Sequence, residues 1–198
     1  MLVGLTLAQA NLEILGRFGG NETIHYFIVP PSPGAGYREG DDELAEWAFD
    51  DWARASEGKL RFRRTDNLNA ALITIHWVGA ADGQYGEMRS MLVNGLPGAA
   101  VYIRPDTDAL GANISALADR DPLFRDTIVY LTCVHELGHA LGLPHTAHFE
   151  DIMFFFGYGG DIPTFFGRYR NKLTGRSDIR HVSGISFGDV ERLRSLYP

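Results

Sequence analysis

His135, Glu136, His139, Gly142 and His145 fall in one run, His135-Glu136-Leu137-Gly138-His139-Ala140-Leu141-Gly142-Leu143-Pro144-His145, of the form H-E-x-x-H-x-x-G-x-x-H. The odds of meeting five such positions by accident in a chain this long are on the order of one in 10⁵. Imidazoles four residues apart on a helix stand on one face, one turn apart, where both can ligate the same metal ion. The pattern is that of a catalytic zinc site. Glu136 lies about 100° round the helix from His135 and about 60° from His139. A carboxylate there borders the metal without ligating it and can take the proton of a zinc-bound water. Gly142 suits the left-handed C-cap that ends a helix. Pro144 blocks continuation, and His145 then returns as third ligand. His148 is a second histidine near enough to compete for that place, but only His145 has the required spacing. Three neutral imidazoles leave one tetrahedral position open, as catalytic zinc sites do. Cys133 is the only cysteine, which excludes a cysteine-rich structural zinc site.

These side chains need a rigid helix behind them. Apolar residues at 124, 128, 131 and 134 keep helical spacing into the motif, and Asp121-Pro122 is a helix start. Upstream, residues 23–29 read as a strand and 30–36 as a Pro/Gly loop. Asp41 and Asp42 open a helix with Leu44, Trp47, Ala48, Trp52 and Ala55 on one face, ended by Gly58. Residues 60–64, 71–78, 85–93 and 99–104 read as strands, with Asn94-Gly95 as a hairpin turn between the last two. His25 and His76 fall in strands and read as structural or surface residues. His181 reads as a substrate contact or a loop cap.

The chain has 198 residues, a net charge of −7, 45% hydrophobic and 22% charged residues. That suits a single folded domain with a sizeable core and argues against nucleic acid as a partner. No stretch is long and apolar enough for a membrane span. Residues 1–10 end in a small-x-small pattern but lack a basic start. They read as a trimmed signal or, more in keeping with their length, as an N-terminal strand or helix.

The motif resembles that of the metzincin metallopeptidases. Met153, in Asp151-Ile152-Met153-Phe154, stands where that clan carries a methionine turn beneath the zinc. The 185–198 segment, with Asp189 in its first turn and Leu196-Tyr197 at its end, resembles the last helix of the matrixin branch. Gly188 replaces an acid that in some matrixins pairs with the mature N-terminus. A compact microbial matrixin-like peptidase is the best comparison, because no cysteine-switch segment or second zinc site can be placed.

The resemblance implies an α+β, zincin-like fold: a mixed twisted five-stranded sheet with two long helices and the zinc site in a cleft. A small C-terminal subdomain would end in a helix. It divides the chain into an extension over 1–20 and one catalytic domain over 21–198, with subdomains of about 21–142 and 143–198. It implies one catalytic zinc ion on His135, His139 and His145, with Glu136 as general base, Met153 under the site, and Gly142 and Asp189 in structural roles. The substrate would be a protein or peptide bound in extended form along the 85–93 edge strand. Gly86, Glu87 and Met88 would serve there, with Phe155, Phe156 and Tyr158 lining the pocket beyond the scissile bond. The aromatic, glycine-rich 154–181 segment is either that pocket wall and lid or the core of the lower subdomain. Asp82, Asp106, Asp108, Asp119 and Asp121 are loop acids that suit calcium, though no calcium site is assigned. A monomer is expected. The resemblance favours a secreted or periplasmic location, and a cytoplasmic one stays open. The expected activity is zinc endopeptidase. The alternatives are a silent zinc- or peptide-binding protein on the same scaffold and a zinc amidohydrolase acting on a non-protein substrate.

Overall fold

A computed structural model describes Phe18, residues 23–79 and residues 85–198. The 1–10 stretch, most of the expected 1–20 extension and Asp82 lie outside the described residues. Five strands form one sheet: β1 (Thr23–Ile28), β2 (Arg61–Arg64), β3 (Ile73–Trp77), β4 (Gly86–Val93) and β5 (Leu96–Ile103). Their order is β2-β1-β3-β5-β4. The pairs β1/β2, β1/β3 and β3/β5 are parallel, and β4 runs antiparallel to β5 with Met88 opposite Val101. The sheet is therefore mixed, and β4 is an edge. Asn94 and Gly95 both take positive φ, 53° and 81°, as a two-residue turn of this twist requires.

Among the described residues there are five α-helices: α1 (Asp41–Ala55), α2 (Ala112–Arg120), α3 (Pro122–Ala140), α4 (Ile162–Arg170) and α5 (Phe187–Leu196). The long helices α1 and α3 pack with the inner sheet residues Ile24, Tyr26, Ile73, Ile75, Val101 and Ile103 in one core. The buried stripe of α1 differs in detail from the expected one. Leu44, Ala48 and Trp52 are buried, but so are Ala45 and Phe49, while Trp47 and Ala55 are only half-buried. Phe49 stacks on Tyr26 of β1, ring centroids 3.9 Å apart, and Trp52 Nε1 donates to the Val134 carbonyl of α3 at 2.9 Å. The stripe turns that way because α1 must meet both the sheet and α3.

Helices α2 and α4 have no counterpart in the sequence reading. Each is nine residues long, too short for a clear periodic signal. The start of α4 is nevertheless well specified, since the Asp161 side chain accepts from Thr164 N at 2.8 Å with Pro163 in the first turn. Of the aromatic 154–181 segment, Phe154, Phe165, Phe166 and Tyr169 are buried in the same core as the sheet and the long helices. Phe155 and Phe156 are half-buried, and Tyr158 is 67% exposed.

Candidate metal centre

Helix α3 is fixed at both ends. Asp121 accepts from Leu123 N and Phe124 N at the start, and Pro122 follows at the first helical position. At the end Gly142 takes φ 92°. Leu143 N donates to the Gly138 carbonyl and Gly142 N to the His139 carbonyl, both at 2.9 Å. This paired closure is the Schellman motif, which satisfies the last carbonyls while reversing the chain. The reversal carries His145 back over the helix.

The ligand atoms of His135, His139 and His145 all lie within 4.8 Å of one another, the one such group among the described residues. His145 Nε2 stands 3.3 Å from His135 Nε2 and 3.1 Å from His139 Nε2. Two ligands of a tetrahedral zinc ion, at about 2.05 Å from it, stand about 3.3 Å apart. His135 Nδ1 lies 2.6 Å from the Ile152 carbonyl and His139 Nδ1 2.9 Å from the Leu143 carbonyl. A carbonyl only accepts, so both Nδ1 atoms carry the proton and both Nε2 atoms present lone pairs. Burial lowers the pKa of His135 to about 4, and burial with the neighbouring histidines lowers that of His139 to about 3. Burial also lowers His145. At neutral pH the imidazoles are uncharged, and a single His145 N–H cannot serve two lone pairs at once. A nitrogen-liganded cation such as zinc resolves that convergence, so the donor set fits the metal.

Glu136 is buried against the sheet edge. Desolvation, then the nearby Glu87 carboxylate, raises its carboxyl to about 8 in the metal-free protein, against a downward pull from the Met88 backbone N–H. A Cβ placed on Gly86 would lie 2.6 Å from Glu136 Oε1 and 2.8 Å from Thr132 Cγ2. Glycine at 86 is thus what lets β4 cross α3 at the glutamate. Met88 is half-buried against the core, and Glu87 is engaged with Arg89 at 2.8 Å.

Met153 is fully buried. Any Cβ on Gly138 would collide with its sulfur and press on Trp52. Thr146 N donates to the Met153 carbonyl at 2.8 Å, and Phe155 N to the Thr146 carbonyl at 3.1 Å, which ties the third-histidine loop to this turn. The Phe155 ring stacks on His145 at 4.8 Å, and Tyr158 meets Phe155 edge-on at 5.5 Å. Phe156 instead packs on Phe154 and Phe165. Asp189 is fully buried at the start of α5 and accepts from Ile152 N at 2.7 Å. The same residue, Ile152, offers its carbonyl to His135.

Among the other histidines, His76 bonds to Thr74 at 2.9 Å and stacks on Tyr102. Neither it nor His25, His148 or His181 joins the cluster. Asp106 pairs with Arg104, and Asp121 caps α3 and meets Arg170 at 2.7 Å. Sequence reasoning passed over Gly138, Thr132, Ser186, Arg192 and the Ile152 and Leu143 carbonyls. One signal was available for Gly138: a glycine inside a helix costs about 1 kcal/mol and needs a packing reason.

A mixed sheet whose antiparallel edge crosses a helix bearing a histidine pair, with a third histidine on the returning loop, defines the zincin-like class of α+β protein. The chain belongs to the matrixin family, whose model matches residues 17–161. No curated protein matches it significantly. The family is one of metallopeptidases and implies zinc, and His135, His139 and His145 form a group that could hold a metal ion. Among the described residues no helix is long and apolar enough to cross a membrane.

Proposed function

We propose that this matrixin is a zinc-dependent endopeptidase, with His135, His139 and His145 as ligands, Glu136 as general base and Met153 as the packed floor of the site. The observation that carries this reading is the convergence of three uncharged imidazole nitrogens beside a buried carboxyl. Zinc held there supplies a Lewis acid for the scissile carbonyl and lowers the pKa of water towards 7. Glu136 takes the proton as the water oxygen bonds to the carbonyl carbon, and gives it to the amine nitrogen as the C–N bond breaks. Edge strand β4 offers Gly86, Glu87 and Met88 as the backbone along which an extended peptide adds. Phe155, exposed Tyr158 and the margin of Phe156 line the pocket for the residue after the scissile bond. Gly142 and Asp189 hold the frame.

Glu136→Ala is expected to keep zinc, by elemental analysis, and to lose about 10²–10⁴-fold in cleavage of a denatured protein. Fragments identified by mass spectrometry in the wild type should vanish with chelator. Full activity in the variant would refute the general-base role. Zinc bound without any fragments would favour a silent binding protein or an amidohydrolase.

A further inference from the structure

Arg192 has no part in the chemistry above, yet it sits between the acids that brace the site. Its Nη2 lies 2.5 Å from Asp151 Oδ2 and 2.7 Å from Asp189 Oδ1. Those carboxylates are 7% and 0% exposed, and they approach each other with the Ser186 hydroxyl 2.7 Å from Asp151 Oδ1 and from Asp189 Oδ2. Two buried anions this close repel strongly unless a cation lies between them. From them contacts lead to two of the histidines. Asp189 Oδ2 accepts from Ile152 N at 2.7 Å, and the Ile152 carbonyl accepts from His135 Nδ1 at 2.6 Å. Asp151 Oδ2 accepts from Thr146 Oγ1 at 2.9 Å, and Thr146 directly follows His145. Gly188 leaves the room, since a Cβ there would stand 3.0 Å from Asp151 Oδ1 and 3.4–3.5 Å from the Arg192 guanidinium nitrogens.

We propose that Arg192 is a positioning residue of the metal centre: by bridging Asp151 and Asp189 it sets the orientation of His135 and the place of His145. This rests on the assignment of those histidines as zinc ligands. Partners that orient ligand histidines typically contribute about 10–100-fold to metal affinity. The bridge is made by one nitrogen, so a lysine ammonium can take the same role, whereas a neutral amide brings no charge to offset the repulsion between the acids.

The test is zinc affinity, measured by competition with a chromophoric chelator, beside the d–d spectrum of the cobalt-substituted protein and the melting temperature. In Arg192→Gln the zinc dissociation constant should rise about 10–100-fold with an altered cobalt spectrum, and Arg192→Lys should recover most of the affinity. If Arg192→Gln does not fold, Gly188→Ala presses on the pair while keeping every charge, and it should weaken zinc binding and alter the cobalt spectrum. A lowered melting temperature with wild-type zinc affinity and cobalt spectrum would overturn the proposal. Failure of the ligand assignment reads differently, because wild-type zinc affinity would then survive His135→Ala and His139→Ala.

Discussion

Glu136 is the residue whose environment departs furthest from that of a surface carboxylate. Its carboxyl moves from 4.5 to about 8 in the metal-free fold, chiefly through burial. The charged form is thus disfavoured in the folded chain relative to the unfolded one. Metal-free stability falls as pH rises above the unfolded pKa, and the loss is complete only above the folded one. Glu136→Gln removes that penalty, which is of the order of a few kcal/mol. In the presence of chelator the variant should melt higher than the wild type, by little at pH 5 and by more at pH 8. A difference independent of pH would mean that Glu136 is solvated. The ligand histidines carry the opposite dependence. Depressed His135 and His139 destabilise the fold as pH falls from about 6.5, where the unfolded imidazoles take up protons, towards 4 and 3. Together these shifts place the metal-free protein under strain on both sides of neutrality.

At the scale of elements, the site depends on how closely two segments approach α3 and on what braces one of them. Strand β4 comes in at Gly86 and the methionine turn at Gly138, and α5 holds that turn through Asp189, which accepts from Ile152 N. Each approach uses a missing side chain or a buried hydrogen bond. Gly138→Ala isolates one of them. Helix propensity alone would make it stabilising by about 1 kcal/mol. The added methyl collides with Met153 and Trp52 in a fully packed region, so a net loss of about 1–3 kcal/mol is expected in urea unfolding. Measured stabilisation would show that the turn can retreat without loss and that Met153 is not a fixed floor.

Across the whole molecule, one buried ion pair joins the two long helices. Arg125 of α3 meets Asp41 of α1, both 1% exposed, and Arg125 Nη2 also reaches the Gly36 carbonyl at 3.2 Å. Asp41 accepts from Arg38 N as well, at 2.8 Å, which anchors the loop leading into α1. Removing one partner of such a pair leaves a charge buried and uncompensated. Asp41→Asn should therefore lose about 3–5 kcal/mol of stability. Because the pair does not touch the histidines, zinc affinity of the protein still folded should stay at the wild-type level. A parallel loss of both would mean that the site and the interhelical pair form one cooperative unit.

The histidine spacing, the capped helix, Gly142 and the Asn94-Gly95 hairpin were legible in the sequence because each is local: residues close along the chain meet through helix or turn geometry alone. Strand 23–29 was legible from its β-branched and aromatic content and 60–64 from alternation, and the assembly of the strands into a mixed sheet from the likeness to matrixins. Tertiary structure decided the rest. The carbonyls of Ile152 and Leu143 that set the tautomers of His135 and His139 leave no trace in residue type. Nor could spacing show that Gly86 and Gly138 are empty because Glu136 and Met153 need the space. Asp41 reads as a helix start and is a buried ion-pair partner of a residue 84 positions away. Nothing in the sequence singles out Arg192, and only folding brings it between two buried acids 3 and 41 positions off. The sequence determined which groups can do the chemistry. Long-range packing, where desolvation and charge pairing act, decided how they are held and in which protonation state.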